Sequence, residues 1–234
     1  SSVVVVPQHV SLLEAHRLDW RVPPSVFAYL CVSPFQDELD AAYFRERGPD
    51  YLLWYPSSID GQNMAWNQPL TMRALARGYE RVDREGDLLL MRRRATPMAI
   101  EEWTTGWREA PVDAALEIPE DLPHARQFLH LDVKPTRLGR LVSLLYRFDP
   151  VFVVVERADG STNRYRFVRP NAPNGLWLPG GDVPSVLGFT ETDPATRAVR
   201  MRLELPPHKV ALVHTPLRYR FSAETLTSER RGTP

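Results

Sequence analysis

Val3 to Val6 is an unbroken β-branched run, the pattern of a strand buried on both faces. Ser11 and Glu14 form an S-x-x-E capping box around Leu12 and Leu13, with Ala15 behind, which predicts a short helix. "VFAYL" at 26–30 reads as a second strand. Ser33, Pro34 and Gln36 then supply an N-cap, a first-turn proline and a capping-box partner. Behind them Phe35, Leu39 and Ala42 share one helical face, and Gly48-Pro49 ends the helix. "YLLWY" at 51–55 predicts a third strand and Asn67 to Gly78 a third helix, capped by Asn67. "YERVDREGDLLLMRRR" predicts two strands about a turn at Glu85-Gly86.

That order, βαβαβα and then a hairpin, predicts a small, Rossmann-like, mainly parallel α/β domain over residues 1–95. Residues 96–123 lose period and are read as a packed connector. Short runs follow, "QFLHLDV", "VFVVVER", "RYRFVR", "GLWLP", "VRMRLEL" and "KVALVHTPLRYRF", separated by turn signals at Asp159-Gly160 and Asn174-Gly175. They predict an antiparallel, jelly-roll-like β-sandwich over 124–225, with one helix inserted at Leu138 to Arg147. Residues 226–234 are read as a flexible tail. The expected class is therefore α/β plus all-β.

Composition narrows the function more than the fold. The 234 residues carry 29 basic and 29 acidic side chains, so no net charge points to nucleic acid, and none is expected as a partner. Cys31 is the single cysteine, which excludes an intrachain disulfide and a thiolate metal cluster. No apolar run approaches the length of a membrane span, and no signal peptide is visible. The chain begins directly on a strand without Met, which is read as a fragment of something longer.

Several stretches taken together resemble a known family. "RVPPSVFAYLCVSPFQDELDAAYF", "GPDYLL", "SIDGQN…W…PLTMRAL" and "YERVDREGDLLLMRRR", with the residues at 139–178, are similar to a soluble region of bacterial multi-spanning glycosyltransferase-like membrane proteins. These are distant relatives of the protein mannosyltransferases that use polyprenyl-phosphate sugars. The resemblance implies a non-catalytic, extracytoplasmic accessory region tethered to a transmembrane portion absent from this chain. It also implies that the catalytic acid of such transferases lies elsewhere, so no catalytic residue is carried over.

Two stretches are candidate ligand sites. In the loop Pro56 to Pro69, Asp60, Asn63 and Asn67 could hydrogen-bond sugar hydroxyls while Trp66 stacks on a pyranose face. The same residues also fit a turn pair, a helix cap and a core plug. At 164–181, Arg166, Asn171, Asn174 and Trp177 belong to the densest polar and aromatic cluster in the chain, and Trp177 equally suits a sandwich core. No H-E-x-x-H, G-x-S-x-G or phosphate-loop pattern occurs, so neither a metal nor another cofactor is expected. Two functions follow: an accessory region that binds acceptor glycan, or a structural module that packs on the membrane portion or mediates oligomerisation without a ligand.

Overall fold

The computed structural model describes residues 1–6, 10–26, 30–55, 64–122, 126–145, 151–178, 197–206 and 210–227. The chain is β-rich, built on three mainly antiparallel sheets. In the first, β1 (Ser2–Val6) lies parallel to both β2 (Asp19–Trp20) and β3 (Tyr51–Trp54). On the far side of β3, β5 (Leu88–Arg93) and β4 (Tyr79–Glu85) run antiparallel, giving the order β2-β1-β3-β5-β4. The expected Rossmann-like, mainly parallel layer is therefore wrong. Its growth stops at the hairpin, whose short turn at Gly86 (φ +58°) forces β4 and β5 antiparallel and seats β5 directly on β3.

The strand expected at Val26–Leu30 is absent from the described residues. Val26 lies in a bend and Leu30 outside any strand, while 27–29 fall outside the description. Pro23 and Pro24 lack the N–H groups a ladder needs, and the short β2 takes the place beside β1. The β1 pattern does what its composition dictates. Val4 and Val6 join the main core with Leu52 and Trp54, whereas Val3 and Val5 pack with Leu13 of α1 (Val10–Ala15) on the opposite face.

Helices α2 (Pro34–Glu46) and α4 (Pro69–Gly78) pack against each other, with the short α3 (Met64–Asn67) leading into α4. Ser33 caps α2 through its hydroxyl, which accepts from the Gln36 N–H at 3.3 Å, while Gln36 Oε1 accepts from the Val32 N–H at 3.1 Å. The apolar stripe expected to face inward does not. Phe35 is 69% and Leu39 43% exposed, and the buried side carries Asp37, Asp40, Ala41 and Phe44.

The remaining strands form two antiparallel sheets. One has the order β11 (Thr162–Phe167), β10 (Val151–Arg157), β13 (Ala198–Glu204), β8 (Ala115–Glu117). The other has the order β12 (Leu176–Trp177), β9 (Arg126–Asp132), β14 (Leu217–Thr227), β6 (Ala99–Thr104), with β7 (Arg108–Ala110) also pairing with β14. Three strands thus arise from the stretch read as a connector, where exposed charges hide their alternation. The helix α5 (Arg137–Leu145) lies where the sequence predicts one. Val153, Val155 and Met201 of one sheet and Leu129, Leu131 and Phe221 of the other share a single core, which continues through Trp66, Met72 and Leu75 to Val4. An α/β layer with a separate jelly-roll-like core is not what forms.

Candidate functional site

The chain's buried polar groups gather where α2, α3 and α4 meet the sheet of β12, β9 and β14. A 3-10 turn, Arg169–Asn174, leads into β12 and packs against all three helices. Trp66 is fully buried; its indole Nε1–H donates to the Trp177 carbonyl, and its ring lies 5.1 Å from that of Tyr165. Asn171, also fully buried, donates from Nδ2 to the Asn67 carbonyl at 2.6 Å. The Trp177 ring packs 5.3 Å from Phe128.

Four expected ligand-binding residues, Trp66, Asn67, Asn171 and Trp177, are thus brought together from sequence positions more than a hundred apart. They hold one another, and each is at most 2% exposed. Asn174 sits half-buried at the end of the 3-10 turn. Arg166 lies on the opposite side of the molecule's second sheet, where the register pairs it with Phe152 on the outward face. Asp60 and Asn63 lie outside the described residues.

A second polar cluster sits under the start of α4. Helix N-termini present N–H groups without intrahelical partners. Asn67 does not cap α4, and its actual N-cap residue, Gln68, makes no side-chain cap bond. Asp37 of α2 reaches across instead, its carboxylate accepting from the N–H groups of Leu70 and Thr71 at 3.0 Å each and from the Thr71 hydroxyl at 2.9 Å. Burial outweighs these three donors and pushes the Asp37 carboxyl up to about 6. Asp40, one turn on, accepts from the Ser25 N–H at 2.8 Å and from Gln68 Nε2 at 2.6 Å, and burial raises it too.

Cys31 lies close by, fully buried, its thiol pushed up to about 12 by burial and by the two carboxylates. A thiol so held is not a nucleophile at neutral pH. The cavity beside Asp40, Gln68 and Thr71 amounts to ≈ 10 Å³, room for about one water molecule and far too small for a sugar.

The third cluster lies on the face of the β9–β14 ladder turned toward α4. Alternation places Arg126, Phe128 and His130 of β9 beside Arg220, Ser222 and Glu224 of β14. Arg73 of α4 closes over them, with Nε 3.0 Å from Glu224 Oε1 and its guanidinium 4.0 Å from the centre of the Phe128 ring. His130 is 2% exposed and bonds at both nitrogens, Nδ1 with the Pro173 carbonyl at 2.9 Å and Nε2 with Ser222 Oγ at 2.8 Å. A carbonyl only accepts, so the proton sits on Nδ1 and the Ser222 hydroxyl donates to Nε2. Burial, with Arg73 and Arg220 nearby, pulls His130 down to about 4, so the ring is neutral across the physiological range.

A serine donating to a neutral histidine is the geometry of an activated nucleophile. Here Nδ1 is oriented by a backbone carbonyl rather than a carboxylate, and both side chains are sealed in the core. No reacting carbonyl can approach Ser222 Oγ without opening the sheet–helix joint. Gly175 adds to the seal. It adopts φ +99°, and a Cβ there would lie 3.0 Å from both Arg73 Nη2 and His130 Cε1. Among the described residues, no three His, Cys, Asp or Glu side chains converge as a metal site would require.

Comparison with models of known families, with curated proteins and with solved structures returned no match.

Sequence reasoning missed Asp37, His130, Ser222, Arg73 and Glu224. Asp37 and Asp40 fall three apart on a helix, a spacing that puts both on one face, and this signal was legible. His130 and Ser222 come together only through strand register across 92 residues, which no local pattern reports.

Proposed function

We propose that this chain is a non-catalytic interaction module that packs on the membrane portion of a glycosyltransferase-like protein, outside the cytoplasm. The observation that carries it is the inversion of α2. Its carboxylates Asp37 and Asp40 are buried, while Phe35 and Leu39 face outward beside Leu30 and Val32, which are 54% and 59% exposed. Apolar side chains clustered in this way mark a surface that another structure covers. The burial of Trp66, Asn67, Asn171 and Trp177 against one another supports this reading over acceptor-glycan binding, because the Trp66 indole and the Asn171 amide nitrogen already donate to backbone carbonyls inside the chain. The partner is supplied by the family resemblance.

The test is a photo-crosslinking amino acid placed at Phe35 in the full-length protein in native membranes, with one at Asp87 in the β4–β5 turn as control. The expected result is an intramolecular crosslink from position 35 to a membrane-spanning peptide, and none from position 87. A gene encoding no apolar spans alongside this chain, or equal crosslinking from both positions, would sink the reading. A soluble oligosaccharide that shifts NMR resonances around Arg166 or Asn174 would favour the glycan-binding reading instead.

A further inference from the structure

Helix α5 is inverted more completely than α2, and it carries charge as well. Thr136 fixes its start: its hydroxyl accepts from the Gly139 N–H at 3.0 Å, and its own N–H donates to the Leu212 carbonyl at 2.9 Å. The side turned to the protein is glycine, because a Cβ at Gly139 would run into that same Leu212 carbonyl. At 100° per residue the opposite side is leucine. Leu138 and Leu141 are each 55% exposed, Leu144 82% and Leu145 70%. Water-facing leucines contribute nothing to the stability of the free chain, and a nine-residue helix gains its stability chiefly from burying such a face.

The flanking charges are of one sign. Arg137 and Arg140 are exposed on the helix, Lys134 lies just ahead of it, and no acidic residue occurs from Lys134 to Leu145. Asp132, the nearest preceding acid, is already bonded to Lys134 at 3.0 Å. A protein partner that matched only the leucines would leave Arg137 and Arg140 unanswered. An anionic lipid surface answers both, since leucines enter the acyl boundary while arginines stay at headgroup level.

We propose that α5 is an interfacial helix that docks this chain on an anionic bilayer surface through Leu138, Leu141, Leu144 and Leu145, with Arg137 and Arg140 on the headgroups. This surface is separate from the α2 face and does not depend on what covers it. The test is co-sedimentation of the chain with phosphatidylcholine vesicles with and without phosphatidylglycerol, at low and high salt. Binding is expected only with the anionic lipid, and weaker at high salt. Leu144→Glu should cut partitioning roughly ten-fold or more, the factor that burying one leucine is worth. Arg140→Glu should cut it at least about five-fold. Both positions face solvent, so both variants should fold as the parent does, checked by circular dichroism. Phe35→Asp should leave partitioning unchanged, which separates a failure here from a failure of the α2 reading. No vesicle binding, binding indifferent to Leu144→Glu, or a dimer in sedimentation equilibrium that Leu144→Glu dissolves would each overturn the proposal, the last by assigning the helix to a second copy.

Discussion

Replacing His130 by Asn should tilt the pH dependence of stability in one direction, and replacing Asp37 by Asn should tilt it in the other. The neutral His130 is held at about 4 against 6.5 for an exposed imidazole. Between those values the unfolded chain binds the extra proton, so stability is fully present above pH 6.5 and is lost as pH falls toward 4. Each unit of displacement is worth about 1.4 kcal/mol, so the whole effect is about 3 kcal/mol. Asp37 works with the opposite sign. Held at about 6 against 3.8, it binds its proton in the folded state first, so its contribution is full below pH 3.8 and is lost as pH rises through 6, again about 3 kcal/mol.

Over pH 4 to 6 the two nearly cancel. Asp40 and Glu224, both raised by burial, add to the Asp37 side. Urea denaturation followed by the fluorescence of the six tryptophans, at half-unit steps from pH 4 to 7, measures the slopes. His130→Asn should leave a stability that declines as pH rises toward 6. Asp37→Asn should leave one that climbs from pH 4 to 6.5. Each substitution also costs a hydrogen bond at every pH, but that offset does not alter the slope. Variant profiles parallel to the parent's would refute the assignment of these two groups.

Four further outcomes follow from the buried groups. Asn171→Leu removes the donor to the Asn67 carbonyl and should cost about 1–3 kcal/mol in the same denaturation assay, with Trp66→Phe costing a similar amount through the Trp177 carbonyl. Gly175→Ala should destabilise by about 1–3 kcal/mol, because a side chain at φ +99° is strained and its Cβ crowds Arg73 and His130. Cys31 should resist iodoacetamide at pH 8 in the native chain and react once urea unfolds it, as mass spectrometry would show; fast native alkylation would contradict its burial.

What the sequence discloses here is local. The Ser33–Gln36 box, the hairpin turn at Gly86, the two-faced burial of Val3 to Val6 and the helix at α5 all rest on neighbours in the chain, and all form. What it conceals is direction and partnership. Phe35 and Leu39 have the spacing of a buried stripe, yet Asp37 and Asp40 occupy the inside because α4 offers Asp37 its unpaired N–H groups while the Ser25 N–H and the Gln68 side chain donate to Asp40. The same pattern of residues permits either face to turn inward, and only the neighbour decides. Parallel pairing likewise follows from β1 and β3, and the hairpin itself is legible, but no local pattern reveals that its second strand will seat antiparallel on β3.

The residues that read as ligand contacts illustrate why amide and aromatic clusters mislead. A site for a sugar needs amides to bond hydroxyls and an indole to cover an apolar face. A joint between two sheets and a helical layer needs the same things, because backbone carbonyls at chain turns must find donors once buried. Trp66 and Asn171 meet that second requirement at Trp177 and Asn67. With both already bonded inside, a ligand entering there would first have to break them, each break exposing a buried carbonyl at about 1–3 kcal/mol before any contact is gained. The outward leucines of α5 and the outward Phe35 of α2 carry no such cost, since nothing internal is lost when they are covered. Covering the outward faces of α2 and α5 therefore breaks no internal bond, whereas entry at the joint does.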